Sequence, residues 1–282
     1  MKLILGSAQF GFVYGYKKKK IKNNQIKKIK SLAKKNKIFK FDTAINYGDS
    51  ENIIGNLEMN KEIITKIKLP NPKPKNLNLW FENTLSESLN RLKVKKLYGL
   101  LIHDTSDLLY KNKELLKLIQ ITKKKKIVSK LGISVYELGE ISRTLKFWKP
   151  DIIQMPVNIF DHRFLKNNFL NKLKDLNIEL HARSCFLQGV LLEKKIKIGN
   201  FKSKKIFSSF LSWCENKQLS KLEACIHFVR KISQIDYLII GFDNSSHLKD
   251  IINAFNKKLV SVPDDFINHE KNLIDPRKWK IN

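Results

Sequence analysis

The stretch FDTAINYGDSENIIG, Phe41 to Gly55, holds an apolar run that ends on a carboxylate, Asp42, with a phenol, Tyr47, five residues further on. Other short apolar runs end in a similar way. EIITKI contains Lys66, LYGLLIH ends on His103, VSKLGIS ends on Ser134, DIIQMP carries Gln154, and IELHAR ends on Arg183 ahead of Ser184. A carboxylate, an ammonium and an imidazole that share one rim are groups able to pair charge and move protons. Each has an ordinary explanation when taken alone: Asp42 before Thr43 can open a turn, a histidine after LLI is commonly a hydrogen-bonded turn residue, and Lys66 stands in a lysine-rich chain. Their recurrence at run ends asks for an architecture that gathers those ends.

The runs themselves suggest one. Strand candidates fall at 37–44, 62–67, 97–103, 128–134, 151–156, 178–183, 237–242 and, more weakly, 258–262. Between them, apolar residues spaced by three and four, such as Ile26, Ile29 and Ala33, or Leu85, Leu89 and Leu92, place one apolar stripe on a helix. The same spacing recurs at Leu138, Ile141 and Leu145 and at Leu222, Ile226 and Val229. Alternating strands and helices imply parallel strands with right-handed crossovers, and eight such units predict an α/β fold, a (β/α)8 TIM barrel. No GxGxxG follows the first strand, which weighs against an open dinucleotide-binding sheet. Residues 1–16, with Gly6, Gly11 and Gly15, read as an N-terminal β-hairpin that caps the bottom of the barrel or crosses its mouth. An extra amphipathic segment carries Ile206, Phe210 and Trp213, and the tail from Ser261 reads as a C-terminal extension packed outside. No Pro/Gly/Ser-rich linker divides the chain, so residues 1–282 form one domain in this reading. In such a barrel, catalytic groups stand at the carboxyl ends of the strands, where the polar residues above fall.

Composition bounds the rest. The formal net charge is +29 and the isoelectric point near 9.9, a footprint that nucleic-acid binders share. Here the positive charge is nearly all lysine, with Arg91, Arg143, Arg163, Arg183, Arg230 and Arg277 the only arginines, whereas bidentate phosphate and base recognition favours arginine. Lysine, isoleucine and asparagine are abundant together, as an AT-rich coding sequence would produce, so a solvated lysine surface is the preferred reading and no nucleic-acid partner is expected. Cys185, Cys214 and Cys225 lack disulfide or zinc spacing, and no metal is expected. No apolar stretch reaches the roughly 18 residues of a membrane span, and the N-terminus does not read as a signal peptide; the expectation is a cytoplasmic protein with reduced thiols and no membrane partner.

The motifs GSAQFG, FDTAINYGDSENIIG, ITK and LLIHD, followed by LGIS, IIQMPVN, RSCFLQGVLL and IIGFDNSSHL, resemble the successive motifs of the aldo-keto reductase family over nearly the whole chain. The resemblance implies an oxidoreductase that reduces an aldehyde or ketone with NADP(H), NAD(H) remaining open, and a catalytic tetrad of Asp42, Tyr47, Lys66 and His103. Tyr47 would be the general acid, its phenol made more acidic by Lys66; Asp42 would pair Lys66, and His103 would orient the substrate oxygen or support the reverse proton transfer. Ser134 and Gln154 would hold the nicotinamide carboxamide, with Ser7 near that end and Arg183 and Ser184 along the ring and pyrophosphate. Gly241, Asn244, Ser245, His247 and Lys249 would surround the adenosine phosphate end. The chain departs from the family pattern in three places: Val135 follows Ser134 where many relatives have asparagine, Arg183 takes a position often aromatic, and His247 stands where an arginine commonly grips the 2′-phosphate. His162 could line the pocket. The substrate would be a small carbonyl compound, with a sugar-like or extended one a guess from compact loops, and a monomer would suffice. Two rival functions remain: a barrel that binds the nucleotide for regulation without net reduction, and a basic protein that binds nucleic acid or an anionic surface.

Overall fold

Short apolar runs rich in Ile, Leu and Val become the staves of a barrel when both their faces are covered. In the computed structural model, which describes residues 1–279, these are β1 (Lys2–Gly6), β2 (Lys40–Asp42), β3 (Glu62–Ile67), β4 (Leu97–Ile102), β5 (Val128–Ser134), β6 (Ile152–Pro156), β7 (Glu179–Arg183) and β8 (Tyr237–Ile240). Neighbours in sequence are neighbours in space, all pairs are parallel, and β8 returns to β1 to close the barrel. The (β/α)8 architecture is as expected.

Its first stave is not. The pattern of residues 1–16 suggests that KLILG is one arm of a hairpin, but Leu5 pairs with Phe41 and Gly6 with Asp42 on one side, and Lys2 through Leu5 pair with Tyr237 through Ile240 on the other. A five-residue apolar run stopped by glycine fits a buried parallel strand as well as a hairpin arm, and tertiary pairing decides between them. A helical turn, Ala8–Gly11, follows, and the only hairpin-like feature of this region is an isolated bridge between Tyr14 and Lys19. Conversely, 258–262 is not a strand: it leads into Pro263, and Leu259 is exposed.

Along each strand successive side chains face opposite ways. Ile4, Ile64, Leu101, Ile152 and Ile239 form the barrel's inner cluster, while Leu3, Leu5, Phe41, Ile63, Leu100, Ile102 and Ile153 belong to the layer shared with the helices. Burying each such side chain contributes about 1.5–3 kcal/mol before entropy is counted. Below the inner cluster the floor is polar. Glu179 accepts from Tyr98 at 2.7 Å, lies 2.6 Å from His181 Nε2 and binds Lys130. Burial works against its charge, yet the bonds from His181, Lys130 and Tyr98 hold its carboxyl at about 2.

The helices keep the predicted stripes. Leu77–Leu92 begins because Asn76 accepts from the Leu79 amide at 3.0 Å and stops where Lys93 turns left-handed, and it buries Leu77, Phe81, Leu85 and Leu92 against the barrel. Lys221–Arg230 starts in a capping box of Ser220 and Glu223, and the extra segment forms the helix Phe201–Asn216. Among the described residues no helix is long and apolar enough to cross a membrane. The tail, expected merely to pack outside, reaches the mouth of the barrel: the Arg277 guanidinium lies 3.8 Å from the Tyr136 ring, and Trp279 meets Tyr16 edge-on at 6.2 Å.

Candidate functional site

Because β2, β3 and β4 are adjacent, a side chain at the carboxyl end of each falls on one arc of the rim. Asp42 ends β2, Lys66 is the penultimate residue of β3, and His103 follows β4 with its amide donating to Ile67 O at 2.8 Å. Lys66 Nζ donates to Asp42 Oδ1 at 2.6 Å and to the Thr43 carbonyl at 2.8 Å, with Lys66 only 2% and Asp42 5% exposed. Asp42's second oxygen accepts from Gln154 Nε2 of β6 at 2.7 Å, so the barrel is bridged at its mouth. A buried ammonium without an acid would be expensive; this one has two oxygen partners.

Tyr47 reaches the same place from a loop. Ala44 to Tyr47 form a turn closed by the Tyr47 amide on Ala44 O at 2.9 Å, and the helix Ser50–Gly55 starts immediately after. Ser50, fully buried, donates to Ser7 Oγ at 2.7 Å, and Ser7 Oγ donates to Asp42 O at 2.9 Å, which ties this loop to the end of β1. The tyrosine ring then lies with its centroid 5.2 Å from Lys66 Nζ, edge-on to His103 at 5.8 Å and to Phe12 at 5.6 Å. The loop and the Ala8–Gly11 turn touch backbone to backbone. A Cβ on Gly11 would fall 1.5 Å from Tyr47 O, and Gly48, at φ +53°, leaves 2.8 Å between its own Cβ position and Gly11 O. We expect Gly11→Ala to push Tyr47 out of place, lowering kcat about a hundredfold and stability by about 1–3 kcal/mol, checked by steady-state kinetics beside thermal unfolding.

Protonation follows from these surroundings. Burial pushes the Tyr47 phenol above its ordinary value, Asp42's charge adds to this, and Arg183 opposes it. The net direction is upward, so Tyr47 holds its proton at neutral pH. Burial, then the charges of Lys66 and Arg183, lower His103 to about 3, which makes it a neutral imidazole at neutral pH. Burial also lowers Lys66, and Asp42 works against that.

These groups open on a cavity of about 230 Å³. Of the other residues singled out in sequence, Ser7, Ser134, Gln154, Arg183, Ser184, Gly241 and His247 line it, as do Asp42, Tyr47 and His103. Lys66 stands behind them. Three do not line it: Asn244 caps the helix Ser245–Asn256 by accepting from the His247 amide at 2.9 Å, Ser245 donates to Gln25 at 2.7 Å, and Lys249 is exposed. His162 lies elsewhere, stacked on Phe228 at 4.7 Å and bonded to Ile159 O, because its loop folds inward after β6. Gln154 Oε1 is buried without a partner, and among the described residues the Ser134 hydroxyl has no intramolecular bond. Sequence reasoning missed Tyr14, Tyr136, Lys19 and Asp243, which also line the cavity. Tyr14 and Lys19 come from the glycine-flanked YGYKKKK loop, and Asp243 sits inside the GFDNSSHLK segment, 2.6 Å from Lys19 Nζ and 3.1 Å from His247 Nδ1. A tyrosine and a lysine beside a glycine were the available signal. Among the described residues, no group of three or more His, Cys, Asp or Glu side chains could hold a metal ion.

The sequence model of the aldo/keto reductase family matches residues 2–266. Among solved structures, the aldo-keto reductase AKR11C1 from Bacillus halodurans, in its holo form, superposes with a TM-score of 0.75 at 15% identity, over 92% of this chain and 88% of that one. The glycerol dehydrogenase AKR11B4 from Gluconobacter oxydans superposes with a TM-score of 0.71 at 18% identity, over 94% and 88%. At such identities the likeness speaks for the fold. A sequence search of curated proteins finds no match.

Proposed function

The chain belongs to the aldo/keto reductase family, and on that premise we propose that it is a nicotinamide-nucleotide-dependent oxidoreductase interconverting a carbonyl and an alcohol, with Tyr47 as general acid. The observation that carries this reading is the buried Lys66–Asp42 pair behind a protonated Tyr47, with a neutral His103 beside the same phenol.

The cavity suits the nucleotide. Gln154 Oε1 is a buried acceptor lacking a donor, which a carboxamide N–H would satisfy, and the Ser134 hydroxyl is able to donate to a carboxamide oxygen. Ser7, Ser184, Gly241 and His247 line the same cavity, and in this proposal Ser7 and Ser184 would lie toward the nicotinamide and Gly241 and His247 toward the adenosine phosphate. The bound nicotinamide would supply the hydride. NADP(H) and NAD(H) both remain within this proposal.

This chain's part is the proton. Tyr47 donates to the carbonyl oxygen as alkoxide charge develops, and the Lys66 ammonium then faces the phenolate that remains. Asp42 keeps Lys66 in place with two other contacts on the lysine and the aspartate, from Thr43 O and Gln154. His103, an imidazole able to donate from one nitrogen, orients the oxygen without competing as an acid. The glycerol dehydrogenase among the structural neighbours supports a polar alcohol or carbonyl as one substrate class to try.

Nucleotide binding tests the first half of the proposal. We expect the fluorescence of NADPH or NADH to shift on addition of the protein, with saturation, and the shift to survive in Tyr47→Phe. Absence of binding for both nucleotides would refute the proposed activity.

A further inference from the structure

The cavity's charges balance except at one residue. Lys17 pairs with Glu193 at 2.8 Å, Lys19 with Asp243 at 2.6 Å, and Asp42 with Lys66 at 2.6 Å. Arg183, on the same wall, has no acidic partner within ion-pair distance among the described residues. Its guanidinium donates to Val135 O at 3.0 Å and to Ser184 Oγ at 3.3 Å, and it stacks 4.1 Å from the Tyr136 ring centroid. Those bonds use two of the five N–H donors of an arginine, so the fork is oriented and still has donors to give. Asp161, whose carboxyl feels the Arg183 charge, makes its ion pair with Arg163 at 2.8 Å and none with Arg183.

Arg183 lines the same cavity as Tyr47 and His103. Burial dominates the protonation of Tyr47, Tyr14 and His103, and the Arg183 charge registers at all three. A permanent cation in a half-enclosed, aromatic-lined space is costly unless the ligand brings the opposite charge.

We propose that the carbonyl substrate carries an anionic group, a carboxylate or a phosphate ester, which Arg183 receives through its free N–H donors while Tyr47 faces the carbonyl. This rests on the reductase reading above. The same chemistry has a second possible source, the pyrophosphate of the nucleotide, and the experiment separates the two.

Matched pairs of carbonyls supply the test: 4-oxobutanoate against butanal, and glyceraldehyde 3-phosphate against glyceraldehyde, with the protein saturated in NADPH or NADH. At least one anionic member should be preferred in kcat/KM, and Arg183→Gln should cut the anionic-to-neutral ratio by about ten- to a hundredfold, mostly through KM. Arg183→Lys, which retains the charge without the fork, should restore part of it. Calorimetric titration of the nucleotide-loaded protein with succinate gives the same wild-type-to-variant comparison without turnover. It therefore tests the anion site even if no carbonyl in the panel is reduced, an outcome that would count against the reductase reading alone. Neutral carbonyls preferred over both anions by the wild type, or an unchanged ratio in Arg183→Gln, would overturn the proposal. So would a loss confined to nucleotide affinity by fluorescence titration, which assigns the charge to the pyrophosphate.

Discussion

Tyr47→Phe should lower kcat for carbonyl reduction by about 10²–10⁴-fold while leaving the protein folded and able to bind nucleotide. The substitution removes one oxygen and preserves the ring that meets Phe12 and His103, so packing is kept. What goes is the proton. His103 cannot replace it, because burial together with the charges of Lys66 and Arg183 keeps its pKa at about 3, and above pH 5 it has no second proton to release. The wild-type rate should for the same reason show no titration of His103 between pH 5 and 8. The sign for stability follows too. The folded protein binds its proton less readily than the unfolded chain, so this histidine's contribution is full above its ordinary value near 6.5 and is lost as pH falls towards about 3. Rate measurements across pH on both proteins check the catalytic predictions and thermal unfolding across pH checks the stability one; a variant within a factor of a few of wild type would remove Tyr47 from the acid role.

Asp42→Ala should be the most damaging single change to the barrel mouth. It leaves the Lys66 ammonium without its carboxylate in a position only 2% exposed, and it strips Gln154 Nε2 of its acceptor. Breaking a buried pair from one side costs about 3–5 kcal/mol, here a fall in melting temperature on the order of 10 °C, and turnover should be lost with it. Removing both charges separates the two effects. Asp42→Leu combined with Lys66→Met should recover much of the stability, because two apolar side chains need no partners, and should remain inactive because no cation faces Tyr47. Denaturant unfolding beside kinetics on the three proteins makes the comparison. A double variant with substantial activity would mean that the pair serves the fold and not the chemistry.

The barrel was legible because its signal is local and repeated: apolar runs of strand length alternate with three-and-four spacing, as in Leu77–Leu92. The ends were where reading failed. The alternating apolar positions and glycines of residues 1–16 read as a hairpin, and the apolar run 258–262 as a strand, although Lys2–Gly6 is a barrel strand that pairs with both β2 and β8. Asp42, Lys66 and His103 could be seen because each follows, or lies within, an apolar run whose end the barrel fixes, whereas Tyr47, in a loop, was legible only through the family resemblance; Asp42 and Lys66 needed only adjacent strands to meet. Tyr14, Lys19 and Asp243 depend on how two irregular loops lean across the mouth, for which no periodicity exists. The depth of burial that raises the Tyr47 phenol depends on how its loop packs against Phe12 and His103, which no local pattern in the sequence encodes.

Transfer of deuterium tests the central claim most directly. With a nicotinamide nucleotide deuterated at its transferable carbon and the carbonyl panel above, mass spectrometry of the products should find one deuterium on the new alcohol carbon with the wild-type protein and almost none over the same time with Tyr47→Phe. A protein that binds the nucleotide tightly yet passes no deuterium to any carbonyl, or passes it equally well without the Tyr47 hydroxyl, would contradict the account.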